Sequence, residues 1–165
     1  VTAARTAFQA SRTVLIDNQE FIMSKESALE QAAAVPKSVD RTTIEKAIHA
    51  FFASYPAKSL DDVAKRAALF ADEDVILEDP VGATPVTGKA ALIEFFKGPM
   101  MAGMVIHMRS EKIIVTGNEA ISFTKASWGM EGMEPARVQI VHNFVIDANG
   151  RIARVRIFFD ETCVE

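Results

Sequence analysis

Asp79 is the residue of this chain best placed for acid–base chemistry. An apolar run, Val75-Ile76-Leu77, ends in Glu78-Asp79, and Pro80 follows at once. Proline disfavours helical geometry in the residue before it, so Asp79 is expected to extend the strand. Alternation then puts Asp79 on the face of Val75 and Leu77 and turns Glu78 to the other side. A carboxylate at the mouth of an apolar cavity is poorly solvated. That keeps its pKa close to working pH and suits it to act as a general base. The competing reading is an Asp-Pro turn with a solvated side chain. His142 is the second candidate, sharing a strand face with Val138, Ile140, Phe144 and Ile146. A neutral imidazole there offers one hydrogen-bond donor; the alternative is a core histidine bonded to a backbone carbonyl. Tyr55, the only tyrosine, ends an apolar helix face and is either core or a phenolic donor, with His49 a weaker neighbour.

Three helices and a strand are needed to position these groups. Ser24 to Ala34 reads as a polar, alanine-rich helix stopped by Pro36. Asp40 or Thr42 is expected to cap the next one, Thr42 with Glu45 completing a capping box. Ile44, Ile48, Phe51, Phe52 and Tyr55 fall on one face of it before Pro56. Ser59 and Asp62 open a third helix that runs to about Ala71 and buries Val63, Ala67 and Phe70. Strand 75–79 precedes a Gly/Pro loop and a short helix, capped by Thr87 and stopped by Gly98-Pro99. From Met104 the texture becomes strands at 104–115, 119–129, 136–146 and 151–159, with turns at 116–118, around Gly132 and at 147–150. Helices first and an antiparallel meander afterwards is an α+β arrangement.

The chain's 165 residues suffice for one core, and its apolar and charged content is ordinary for a globular protein. A net charge of −4 without a basic block speaks against a nucleic-acid partner. No stretch has the ~20 apolar residues of a membrane span. The single cysteine, Cys163, is most simply a bystander thiol in a reducing, cytoplasmic setting. Val1 to Met23 is loosely like a transit peptide in composition, or else precedes a natural start at Met23. Residues 1–40 are therefore read as a partly helical N-terminal extension and 41–165 as one domain. Asp79, His107 and His142 lack any short ligand spacing, so no metal is expected. There is no phosphate loop or nucleophile elbow either, and no cofactor is expected. His107 shares a face with Arg109 and is expected to be exposed or at an interface.

Leu69-Phe70-Ala71-Asp72, Glu78-Asp79-Pro80-Val81-Gly82, Pro85, Gly88, Ala90-Ala91 and Glu94-Phe95 resemble the bacterial Δ5-3-ketosteroid isomerases over roughly residues 41–160. The resemblance implies the nuclear-transport-factor-2-like (cystatin-like) fold, a curved antiparallel sheet wrapped by helices around a conical pocket. It also implies that Asp79 carries a proton between two carbons of the substrate. In that family a tyrosine and a protonated aspartate hold the enolate oxygen. Here His142 stands where that aspartate would be, and Tyr55 is the possible second donor. Leu77, Phe95, Phe96, Met104, Trp128, Phe144, Val155 and Phe159 are expected to wall the pocket for a small apolar ligand.

The leading expectation is thus a cofactor-free, ketosteroid-isomerase-like enzyme. The alternatives are a dehydratase, cyclase or epoxide hydrolase using Asp79 and His142, or a non-catalytic carrier of hydrophobic ligands. A homodimer is expected through the outer sheet face, where Arg154, Arg156 and Phe158 alternate with the inward Val155, Ile157 and Phe159.

Overall fold

Helix α1 (Lys25–Ala33) opens the computed structural model, which describes residues 24–165. It starts where Ser24 Oγ accepts from the Ser27 amide at 3.1 Å. This helix belongs to a first unit, Val1–Ala33, and the remainder forms a second, Ala34–Glu165. The reading of Val1 to Met23 falls outside the described residues.

In the second unit, Asp40 caps α2 (Arg41–Ala53) by accepting from the Thr43 amide at 2.9 Å. Thr42 takes no part, and Glu45 pairs with Arg41 at 2.8 Å instead of closing a box. Ile44, Ile48, Phe51 and Phe52 form the buried face of α2. Ser59 caps α3 (Leu60–Ala68), which buries Val63, Arg66 and Ala67.

Strand β1 (Ile76–Glu78) pairs with a two-residue strand, β2 (Val86–Thr87), inside the segment read as a loop. Helix α4 (Lys89–Met101) differs from expectation at both ends. Its N-cap is Gly88, at φ 83 and without a side-chain cap, rather than Thr87. It also continues through Pro99, because proline's fixed φ is helical and only one backbone donor is lost. The turn closes where the Ala102 amide donates to the Gly98 carbonyl at 3.0 Å.

Strands β3 (Met104–Thr116), β4 (Glu119–Met130), β5 (Ala136–Ile146) and β6 (Ile152–Phe158) follow as a meander. The sheet order is β2-β1-β6-β5-β4-β3. Four pairings are antiparallel, and β1 lies parallel to β6 with Leu77 opposite Val155. The fold is the α+β, nuclear-transport-factor-2-like arrangement that the resemblance implied.

The inner face meets the helices. Phe51 and Phe52 of α2 pack edge-on against Phe144 of β5 at 5.5 and 5.9 Å. On the outer face, register sets Phe123, Val141 and Phe158 in one row across β4, β5 and β6. Ile114 lies opposite Ile121 in the adjacent row. Phe123, Phe158, Ile114 and Ile121 are all exposed.

Candidate functional site

Alternation along β5 delivers His142 inward, and the strand's burial follows the expected face from Val138 to Ile146. Its imidazole is wholly buried, stacked on Phe144 at 5.7 Å and edge-on to Phe52 at 5.2 Å. Nδ1 lies 3.1 Å from Thr124 Oγ1, which continues to Ser122 Oγ (3.1 Å) and Ser110 Oγ (2.8 Å). The partner is thus a chain of hydroxyls running across β4 to β3, not the backbone carbonyl of the alternative reading. Nε2 is buried without a partner among the described residues.

Desolvation brings the imidazole down from 6.5 to about 3, so it is neutral at physiological pH. This has a consequence for stability. Between those values the unfolded chain takes up a proton that the folded chain refuses, so stability falls as pH drops from about 6.5 towards 3. Urea midpoints are expected to be lower at pH 5 than at pH 7. His142→Gln should flatten that dependence, whereas an unchanged slope would remove His142 as its source.

Asp79 follows β1 directly and turns inward, while Glu78 faces the other way and pairs with Arg156 at 3.0 Å. Burial alone pushes the Asp79 carboxyl up from its ordinary value. Asp79, His142 and Tyr55 border one cavity of about 180 Å³, together with Phe95, Phe96, Trp128 and Phe159. Trp128 and Phe159 pack edge-on at 5.7 Å in its wall. Tyr55 is half-buried, and Arg66 lies over its ring at 3.5 Å. Desolvation outweighs that cation and, with Asp79 adding to it, pushes the phenol up to about 12.

Four expected wall residues lie elsewhere. Leu77, Phe144 and Val155 are sealed in the core, being 1%, 0% and 0% exposed. They do face inward, but at the packed end of the cone, where α2 and neighbouring strands fill the space. Met104 lines an adjoining recess with Tyr55 and Arg66. The cavity instead recruits Arg66, Pro99, Ile106 and Met108, which the sequence reading did not place there, with Ile140 and Ile157 from the inward strand faces it had assigned. Arg66 had a signal: Val63, Arg66, Ala67 and Phe70 follow i, i+3, i+4, i+7 spacing, a buried stripe with a guanidinium in it.

His49 and His107 are exposed and away from this cavity. Among the described residues no three His, Cys, Asp or Glu side chains converge on a metal-binding point. Within the same residues no helix is long and apolar enough to cross a membrane.

A curved sheet, wrapped by helices and enclosing a cavity that joins a carboxylate to an imidazole, defines a class of small cone-shaped ligand-binding folds. Residues 48–155 match the model of the SnoaL-like domain, and the chain belongs to that family. The Δ5-3-ketosteroid isomerase of Mycobacterium sp. is similar at 21% identity, covering 74% of this chain and 97% of its own, with a TM-score of 0.64. SalBIII, an epoxide hydrolase/cyclase-like enzyme with a role in pyran ring formation in the polyether salinomycin, is similar at 18% identity. It covers 76% of this chain and 96% of its own, with a TM-score of 0.65. An LEH-like epoxide hydrolase of Mycobacterium tuberculosis matches at 20% identity, 74% and 86% coverage and a TM-score of 0.62. At these identities the likeness is one of fold.

Proposed function

We propose that this chain is a cofactor-independent isomerase that moves a proton beside a carbonyl on an apolar, steroid-like substrate. The observation that supports this is one cavity bordered by an unpaired carboxylate and a neutral imidazole. Ionised Asp79 takes a proton from the carbon next to the carbonyl. The C–H electron pair becomes a carbon–carbon double bond as the carbonyl π pair moves to oxygen. The oxygen pair then re-forms the carbonyl as Asp79 returns the proton to a second, conjugated carbon. The enolate oxygen between these steps needs a preorganised donor. With the Thr124 hydroxyl donating to Nδ1, His142 carries its proton on Nε2, a buried atom with no partner among the described residues. A shift of the rings packed around it on binding would open it to the enolate oxygen. Tyr55, kept as the phenol by its raised pKa, is the second donor.

The cavity is below the roughly 300 Å³ of the smallest drug-sized sites. It suits the reacting ring, leaving the rest of a polycyclic substrate nearer the opening. A turnover screen of Δ5-3-ketosteroids followed by smaller cyclic enones tests the proposal. Isomerisation of at least one, detected by conjugated-enone absorbance, is the expected result. Binding of these ketones without any turnover would replace the enzyme reading with a carrier of hydrophobic ligands.

A homodimer through the outer sheet face is part of the same proposal. Phe123, Val141 and Phe158 with Ile114 and Ile121 make a contiguous apolar strip there, and such strips are commonly covered. Light scattering at micromolar concentration should return about twice the 18.0 kDa chain mass. A monomer mass would refute this assembly. A reducing, cytoplasmic location is in keeping with the free thiol of Cys163.

A further inference from the structure

Arg66 is the one charged side chain of this unit that is almost entirely buried, at 3% exposure. Among the described residues no carboxylate comes within ion-pair distance of it. Its Nε donates to Ser54 Oγ at 2.9 Å and Nη2 donates to the Ser54 carbonyl. That carbonyl belongs to the C-terminal end of α2, whose partial negative charge offsets only part of a full cation. Tyr55 covers one face of the guanidinium at 3.5 Å, and Phe96 lies 5.1 Å away.

The third nitrogen, Nη1, has no hydrogen-bond partner among the described residues. The fully buried unpartnered side-chain atoms are His142 Nε2 and Arg154 Nε, so Nη1 retains accessible surface. The open space beside Arg66 is the catalytic cavity and the recess adjoining it, which share Tyr55, Arg66, Phe96, Pro99 and Ile106. The recess shares Pro56, Ala57, Met100 and Met104 with a wider surface cleft that also includes Lys58. Arg66 therefore lies where the cavity that holds Asp79 meets this recess, which at about 10 Å³ is nearly closed.

Asp62, one turn earlier on α3, acts on Arg66 only from beyond ion-pair distance. A desolvated cation without a contacting carboxylate is costly, and a neutral ketone does not offset that cost. An anionic group does, through a charge-assisted hydrogen bond to a rigid planar donor. We propose that Arg66 is the anion-recognising residue of this pocket, and that its ligands carry a carboxylate at one end of an apolar ring system. This rests on the cavity being the ligand site, as argued above, and assigns its Arg66 end to the carboxylate and the remainder to the rings.

Calorimetric titration of the full chain with 2-naphthoate and with 2-naphthamide at pH 7 tests this. The wild type should bind the carboxylate at least about tenfold more tightly, the scale of one hydrogen bond to a charged group. Arg66→Gln should bring the two within about threefold of each other, mainly by weakening the carboxylate. Equal affinities in the wild type, or a preference that survives Arg66→Gln, would overturn the assignment. Should that variant fail to fold, ¹⁵N spectra of arginine-labelled wild type decide. A buried guanidinium resonance should move with naphthoate and stay still with naphthamide, and an unmoved resonance rejects the contact. Asp79→Asn separates this inference from the base reading, since it should keep the carboxylate preference while losing turnover. Absence of the preference alongside an Asp79-dependent turnover leaves the base in place and removes the anion subsite.

Discussion

Asp79→Asn is expected to lower turnover of any active substrate by roughly 10²–10⁴-fold, the usual contribution of a positioned general base. The amide keeps the shape of the carboxyl but cannot accept the substrate's proton. A loss smaller than about tenfold would remove Asp79 from the mechanism. The same substitution should make the protein more stable at neutral pH. Burial raises the Asp79 pKa, so the folded chain binds this proton more tightly than the unfolded chain does. Stability therefore declines as pH rises from the ordinary carboxylate value through the raised one. Asparagine has no such decline. Urea midpoints of variant and wild type should converge below about pH 4 and separate above it. A variant that is inactive and also less stable at pH 7 would mean that the carboxylate is structural. In the wild type, kcat/KM should rise with pH as Asp79 ionises, reaching its plateau at a higher pH than for an ordinary aspartate.

Replacing His142 is expected to have the second largest effect. Loss of one oxyanion donor commonly costs about 10²–10³-fold in kcat, so His142→Ala should lose at least tenfold with a ketone. The ring is fully buried among Phe51, Phe52 and Phe144, and its removal leaves both a void and an unpartnered Thr124 hydroxyl. A stability loss of about 2–4 kcal/mol is expected alongside. Temperature must therefore be kept well below the variant's midpoint when rates are compared. His142→Asp restores the carboxyl found at this place in the ketosteroid isomerases and should retain more activity than the alanine variant. If alanine matches wild-type kcat, the imidazole serves only packing, and Tyr55 remains as the donor to test.

Much of this was legible because the local signals agreed. Apolar spacing over Ile44–Phe52, the caps at Asp40 and Ser59, and the turns at 116–118 and 147–150 all pointed to the elements that form. Asp79 and His142 were legible for the same reason, since strand alternation decides which face a side chain joins. What alternation cannot give is depth along the cone. Ile140 and His142 border the cavity, while Phe144, two residues further along the same face, is sealed beneath α2. Leu77 and Val155 sit opposite each other at that packed end. The wall residues contributed by Pro99, Ile106 and Met108 depend on how α4 and β3 close over the sheet, a tertiary matter. Pro99 was read as a helix stop, but its φ allows another turn of helix. That extra turn brings Pro99 to the cavity wall and Met100 to the recess.

Among the described residues strand β3 is the outermost member of the sheet, thirteen residues long, with one side unmatched by another strand. An edge of that length is a template on which a second chain can grow. Near its middle the register slips between Ser110 and Lys112, and Arg109, Glu111 and Lys112 crowd the same stretch. The kink breaks the straight run of donors and acceptors, and the charges oppose a docking strand. Residues that contribute nothing to the cavity thus discourage pairing along this edge, which is not the face proposed for the dimer. Protection against fibrous association is built into the strand next to the ligand site and does not draw on the pocket's own side chains.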